Sequence, residues 1–287
     1  MIIKLKDIIS EGTKAVSALY PEMEAREMVL VYLEHRLGTT RHTHIIDPSY
    51  EVPGPACDDI RAAFAAMASG VPVQYVMGKS YFYGRQFNVS PSVLIPRPET
   101  ELLCREVVNA GNAGRIIDLC TGSGCIAWTL ALEMPGTEVT AVDISDEALK
   151  VAAGQDFSEE MKSSGALAPS FVKADVLGSP SDELGQFDVL ASNPPYVMES
   201  EKALMRKNVL EHEPHLALFV SDEDPLLFYR AVGQWALSLL KPGGFGIVEI
   251  NEALAPETER VFRNLHFRNV RAVKDLNEKD RFVVFER

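Results

Sequence analysis

Arg115-Ile116-Ile117-Asp118-Leu119-Cys120-Thr121-Gly122-Ser123-Gly124 decides how this chain folds. Its first five residues are a largely apolar run that reads as a buried strand. Glycines then interrupt it, and residues 124–134 take up helical spacing. Strand, glycine turn and helix open an alternation that continues to the C-terminus. Further strands are predicted at 138–142, 171–173, 187–192 and 245–250, and helices at 146–163, 225–240 and 256–265. The closely spaced strands 270–273 and 281–285 finish the chain and suggest an antiparallel edge. Helices alternating with strands predict an α/β fold, a mostly parallel sheet of seven strands covered on both faces.

Upstream the periodicity differs. Apolar residues recur at helical spacing over residues 2–19, from Ile2 through Ile8 and Ile9 to Leu19. Pro21 suits the start of a second helix, and Gly38 suits its end. A third, through Ile60, Phe64 and Met67, closes at Gly70. Residues 73–89 are aromatic, β-prone and punctuated by glycine, which predicts a hairpin. The expected division is a helical recognition domain at 1–72, a hairpin linker at 73–92 and the main domain at 93–287. The helical part carries no catalytic constellation; packing accounts for its Met and aromatic stripes, and its use is to recognise a partner.

Composition narrows the chemistry. The chain has 287 residues, 46% hydrophobic and 24% charged, with a net charge of −13. No run of Lys and Arg supplies the phosphate-neutralising patch that nucleic-acid binding requires, and Lys202, Arg206 and Lys207 sit among acidic residues. No apolar stretch reaches bilayer length and the N-terminus lacks a signal-peptide core, so a cytoplasmic protein is expected. Cys57, Cys104, Cys120 and Cys125 form no C-x-x-C pair and are expected as free thiols. The histidines match no metal-ligand spacing, with His42 and His44 on opposite sides of a strand and His212 and His215 in a loop. No metal site is expected.

The glycine loop lets a ligand approach the backbone closely. Asp143 ends the next strand 19 positions after Gly124, where a carboxylate can take ribose hydroxyls. Asp175 closes the third strand and can meet an adenine amino group, while Asp118 can hold an ammonium. The full pyrophosphate fingerprint is absent, and an acidic-lined pocket suits a cation better than a pyrophosphate.

At the end of the fourth strand stands Asn193-Pro194-Pro195-Tyr196. One reading is a strand-ending turn, because neither strand nor helix continues through two prolines. The other is chemical. The Asn193 side-chain carbonyl and the Pro194 backbone carbonyl can accept both N–H bonds of a planar amide or amino group, with Tyr196 against its flat face.

Taken in order, residues 118–124, Asp143, Asp175 and Asn193-Pro194-Pro195-Tyr196 resemble the Rossmann-like class I S-adenosylmethionine-dependent methyltransferases acting on a planar nitrogen. Gln74-Tyr75 with Gly78, residues 95–101, Glu213-Pro214 with Ala217-Leu218, and Lys274-Asp275 with Asp280-Arg281-Phe282 are similar to the peptide chain release factor glutamine N5-methyltransferases. That resemblance implies S-adenosyl-L-methionine as methyl donor and S-adenosyl-L-homocysteine as product. The implied cofactor residues are Arg97, Thr100, Asp118, Leu119, Cys120, Thr121, Gly122, Ser123, Gly124, Asp143, Ile144, Asp175, Val176 and Asn193. The implied catalytic group is Asn193, Pro194, Pro195 and Tyr196, joined by Glu213 for substrate binding. The implied partner is the Gly-Gly-Gln loop of a class I release factor, met by a monomer without nucleic acid or membrane.

Two positions depart from the family pattern. Cys120 stands where glycine is usual, and is expected to need an ordinary φ and to lower cofactor affinity. His212 replaces an aromatic residue before Glu213. Two alternatives remain at this level: an adenine-N6 nucleic-acid methyltransferase, and a non-catalytic S-adenosylmethionine-binding protein.

Overall fold

Ile116 and Ile117 are adjacent in sequence yet buried in different cores, because successive side chains of a strand point to opposite faces. In the computed structural model, which describes residues 3–111 and 113–287, they belong to the strand Arg115–Leu119 (β1). The same sheet contains Glu138–Asp143 (β2), Ser170–Lys173 (β3), Phe187–Ser192 (β4), Leu240–Glu249 (β5), Arg268–Lys274 (β6) and Asp280–Glu286 (β7). Its seven strands lie in the order β6-β7-β5-β4-β1-β2-β3. β7 alone runs opposite to the other six strands, pairing antiparallel with β5 and β6, as the short final connection suggested. This is the α/β arrangement of a class I methyltransferase.

One face of the sheet is covered by Thr100–Ala110 and Cys125–Glu133, whose Leu103, Val107, Ile126 and Leu130 pack with Ile116, Val189 and Ile247. The other is covered by Leu227–Leu239 and Ala255–Asn264, whose Val232, Trp235 and Phe262 pack with Ile117, Leu190 and Val248. Chain order runs outward from β1 in both directions, to β2 and β3 on one side and to β4 and β5 on the other. A crevice therefore opens beyond the carboxyl ends of β1 and β4, the usual ligand position in such sheets.

The chain divides into two compact units. One runs to Lys79 and also takes in Arg206–His212; the other comprises Ser80–Met205 and Glu213–Arg287. In the first, helices Leu5–Val16, Glu22–Leu37 and Gly54–Ala68 bury Ile8, Ile9, Val29, Leu33, Ile60, Phe64 and Met67 together. Gly12 admits the Phe64 ring, which would lie 2.5 Å from a Cβ there. No helix among the described residues is long and apolar enough to cross a membrane.

Several local expectations give way to tertiary structure. The first helix begins at Leu5, because Ile3–Lys4 pairs antiparallel with Glu51–Val52; Ile2 lies outside the described residues. Residues 73–77 are a short helix after Pro72, closed by Gly78 at φ 66, and not the start of the hairpin. The hairpin itself is Lys79–Phe82 with Arg85–Asn88, turned by Tyr83 and Gly84 at φ 51 and 74. Arg85 anchors it between Glu133 (2.7 Å) and Glu160 (2.5 Å). His42 and His44 flank and enter the helical turn Thr43–Ile46 instead of a strand, and His44 Nε2 meets Arg26 Nη2 at 3.0 Å. His212 ends the helix Lys207–His212 and His215 starts His215–Leu218, where a loop was predicted. The helix predicted over 146–163 is two, Asp146–Ala153 and Ser158–Ser164. The break turns Gln155 inward, where its side chain satisfies both the N–H and the carbonyl of Asn88 and the carbonyl of Ser123.

Gly246 of β5 faces the Phe285 ring of β7, itself stacked on Phe262 with centroids 4.0 Å apart. A Cβ at Gly246 would lie 2.2 Å from Phe285 Cζ. Gly246→Ala should therefore lower unfolding free energy by about 1–3 kcal/mol, seen as a fall in the urea midpoint at unchanged slope. An unchanged midpoint would show that the Phe262–Phe285 stack shifts freely.

Candidate active site

The loop after β1 is held by its neighbours at almost every residue. Thr121 N–H donates to the Val142 carbonyl (3.0 Å), and Thr121 Oγ1 to Asp118 Oδ2 (2.5 Å). Gly122 N–H donates to Asp143 Oδ2 (2.9 Å), and Gln155 Nε2 to the Ser123 carbonyl (3.0 Å). Gly122 and Gly124 take left-handed φ values of 55 and 80. At Gly124 close packing adds to the demand, since a Cβ would sit 3.0 Å from Ala152 Cβ.

Cys120 corrects the expectation of an ordinary φ: it is left-handed at φ 62. The loop keeps the shape that glycine would give it, and the strain falls on the cysteine, a conformation that costs a non-glycine residue about 1–2 kcal/mol. Burial, with Asp143 and Asp118 nearby, pushes the Cys120 thiol well above its ordinary range. Cys125 is likewise pushed up by burial, to about 12. Both therefore stay neutral at physiological pH, and neither offers a thiolate to an electrophile in the cleft.

A largely apolar cleft of about 380 Å³ opens above this loop. Of the residues singled out from sequence, Arg97, Thr100, Cys120, Thr121, Gly122, Ser123, Asp143, Ile144, Asp175, Val176, Asn193 and Pro195 line it. Asp118, Leu119, Gly124, Pro194, Tyr196 and Glu213 are not among its lining residues. Val93, Leu94, Ala148, Leu177, Leu216 and Phe228 add apolar walls that carried no motif. Asp143 presents a carboxylate already holding Gly122 N–H and Ser145 N–H, and burial still leaves its pKa raised. Asp175 Oδ1 accepts from Leu177 N–H at 2.9 Å. Asp118 is fully buried, with Oδ1 unpartnered among the described residues, and burial lifts its pKa to about 7.

Glu213 turns inward, accepting from Arg97 Nη2 (2.6 Å) and Ile95 N–H (3.2 Å). It joins the segment before the helix Thr100–Ala110 to the loop ahead of His215–Leu218. Thr100 does not cap its helix; it is the first helical residue, and its hydroxyl donates to Glu249 Oε2 (2.7 Å). The same oxygen, Thr100 Oγ1, accepts from Asn193 Nδ2 (3.2 Å). Tyr196 O–H donates to Glu249 Oε1 (2.9 Å).

Glu249 was not among the residues predicted for the site. Its signal is a carboxylate closing the otherwise apolar run Phe245-Gly246-Ile247-Val248 at the carboxyl end of β5. Burial raises its pKa, opposed by the Thr100 and Tyr196 hydroxyls and by the charge of Arg281. Arg281 is held in turn by Asp275 (3.1 Å).

An apolar slot rimmed by Asp143 and Asp175, with the unpartnered, buried Asp118 Oδ1 close by, fits a nucleoside that carries positive charge. Residues 98–217 match the family described as Methyltransferase small domain, and residues 7–78 match the PrmC N-terminal domain. The release factor glutamine methyltransferase of Bacteroides thetaiotaomicron is 43% identical over 217 residues, 75% of this chain and 76% of its own. That of Flavobacterium psychrophilum is 33% identical over 286 residues, 97% of this chain and 98% of its own. Among solved structures, the protein-(glutamine-N5) methyltransferase (release factor-specific) of Alicyclobacillus acidocaldarius is 31% identical. It covers 70% of this chain and 99% of its own, with a TM-score of 0.40.

The Asp118 carboxyl, near 7 when folded and 3.8 when solvated, binds its proton more tightly in the folded chain. That contribution to stability is complete below 3.8 and is lost as pH rises through about 7. A cationic ligand favours the carboxylate instead. Binding of S-adenosylmethionine near pH 6 should therefore release about 0.5–1 proton from this group, counted calorimetrically in buffers of different ionisation heat. Equal release by Asp118→Asn would uncouple Asp118 from the ligand.

Proposed function

This chain belongs to the release factor glutamine methyltransferase family, and from that membership we propose its reaction. It transfers the methyl group of S-adenosylmethionine to the side-chain amide nitrogen of the glutamine in the Gly-Gly-Gln loop of a class I release factor. Bound in the cleft, the cofactor supplies an electrophilic methyl group on a sulfonium. Asp143 takes the ribose hydroxyls, Asp175 the adenine amino group and Asp118 the ammonium. Arg97, Thr100, Leu119, Cys120, Thr121, Gly122, Ser123, Gly124, Ile144 and Val176 complete the cofactor site.

The observation that carries the reading is the Asn193 amide at the cleft. Its nitrogen is engaged by Thr100, which leaves Oδ1 to accept from a ligand. An amide nitrogen is a weak nucleophile because its lone pair is delocalised into the carbonyl. Asn193 Oδ1 and the Pro194 carbonyl accept its two N–H bonds and aim the nitrogen along the methyl–sulfur axis, a positioning effect worth several kcal/mol. Both acceptors also favour the positive charge that grows on nitrogen. A carbon–nitrogen bond forms as the carbon–sulfur bond breaks, and the extra proton leaves afterwards without a carboxylate base. Pro195 and Tyr196 hold this segment rigid and exclude water. Glu213 acts on the substrate side through Arg97 and Ile95.

The helical domain, 1–72, recognises the release factor, the linker 73–92 follows it, and 93–287 carries out transfer. The enzyme works as a monomer in the cytoplasm, without direct contact to nucleic acid.

Radiolabelled S-adenosylmethionine tests the reading against three acceptors: a purified class I release factor, the same factor with its Gly-Gly-Gln glutamine changed to alanine, and duplex DNA. Label should enter the first alone; label on DNA would assign the chain to the adenine-N6 class. Asn193→Ala should lower kcat about 100-fold and leave cofactor affinity within about twofold. Asp143→Ala should weaken cofactor affinity about tenfold or more. The opposite pattern in calorimetry and single turnover would reverse the two roles.

A further inference from the structure

Glu249 is 1% exposed and meets both ends of the Asn-Pro-Pro-Tyr segment: Tyr196 directly, through Oε1, and Asn193 by way of Thr100, through Oε2. The direction of these hydrogen bonds matters. A hydroxyl has one hydrogen, and Thr100 gives its own to Glu249. Toward Asn193 the Thr100 oxygen can therefore only accept, and it accepts from Nδ2. The amide group has two unlike ends, so fixing the nitrogen against Thr100 turns Oδ1 the other way. A flipped amide would set Oδ1 against a hydroxyl oxygen whose hydrogen is already committed.

We propose that Glu249 is a positioning residue for methyl transfer: through the Thr100 hydroxyl it fixes which end of the Asn193 amide meets the acceptor. The proposal rests on the reading of Asn193 as hydrogen-bond acceptor for the target nitrogen, and adds what makes it one. An unoriented asparagine presents NH₂ as readily as C=O, and NH₂ repels the N–H bonds of a glutamine amide. The second Glu249 oxygen, on Tyr196, holds the far end of the segment and with it the intervening Pro194 carbonyl. One buried carboxylate thus aligns both acceptors.

Steady-state methylation of a purified class I release factor, at saturating S-adenosylmethionine, separates this role from simple packing. Thr100→Val keeps the shape and removes the hydroxyl; it should lower kcat about 10- to 100-fold. The KM for release factor should stay within about twofold, and because S-adenosylmethionine is saturating, any change in its affinity drops out of kcat. Thr100→Ser, which restores the hydroxyl, should recover most of the loss. Glu249→Gln should fall between wild type and Thr100→Val, because a glutamine that turns its NH₂ to Thr100 reverses the hydrogen-bond direction and one that turns its carbonyl there preserves it. Should Glu249→Gln fail to fold by circular dichroism, the two Thr100 variants decide the matter alone.

The proposal is overturned if Thr100→Val retains wild-type kcat, if Thr100→Ser is no better than Thr100→Val, or if Thr100→Val lowers only cofactor affinity. In those cases a crippled Asn193→Ala would leave the acceptor reading intact and remove only the relay. Wild-type turnover by Asn193→Ala would remove both.

Discussion

The parallel pairing of β1 with β4 is the constraint on which the rest of this molecule depends. Register sets Asp118 beside Ala191 and Leu119 beside Ser192, and the Ser192 hydroxyl donates to the Leu119 carbonyl at 2.8 Å. Both strands end at that line. The glycine loop leaves one and the Asn-Pro-Pro-Tyr segment leaves the other, so two loops far apart in sequence emerge side by side. A slip of one residue would turn Asn193 to the wrong face of the sheet. Ile116 and Ile117, buried in opposite cores, forbid that slip.

Around that line the chain concentrates buried acid. Asp118, Asp143 and Glu249 all have their pKa values raised chiefly by burial. Such groups are a standing cost to the fold, and they cluster at one end of the sheet. Each is bound to a group it positions: Asp118 to Thr121, Asp143 to the Gly122 and Ser145 amides, Glu249 to Thr100 and Tyr196. Their negative character suits a cationic ligand, and their hydrogen bonds shape the loops that would hold it. The neutral thiols of Cys120 and Cys125 beside them keep a competing nucleophile out of the cleft.

Much of the fold was legible in residue order. The strand Phe187–Ser192 was read to the residue, and the antiparallel end followed from a short connection. Where the reading failed, long-range contact had overridden local preference. Residues 146–163 have helical periodicity throughout, but Gln155 is needed at the glycine loop and the helix breaks to deliver it. Cys120 was expected at an ordinary φ, whereas in a loop bonded through Thr121, Gly122 and Ser123 it is left-handed.

Residue order carries the alternation of strands and helices, the acidic strand ends and the segment that ends β4. These are local properties, carried by period, by glycine and proline, and by the chemistry of single side chains. Packing in three dimensions decided which carboxylates line the cleft and which are buried away from it. Asp118 and Glu213 bear the same carboxyl group as Asp143 and Asp175, and nothing in their neighbours along the chain distinguishes them. It also decided the part played by Glu249, whose partners are 149 and 53 positions away. Hydrogen-bond direction is a property of groups brought together in space, and no local pattern of residues encodes it.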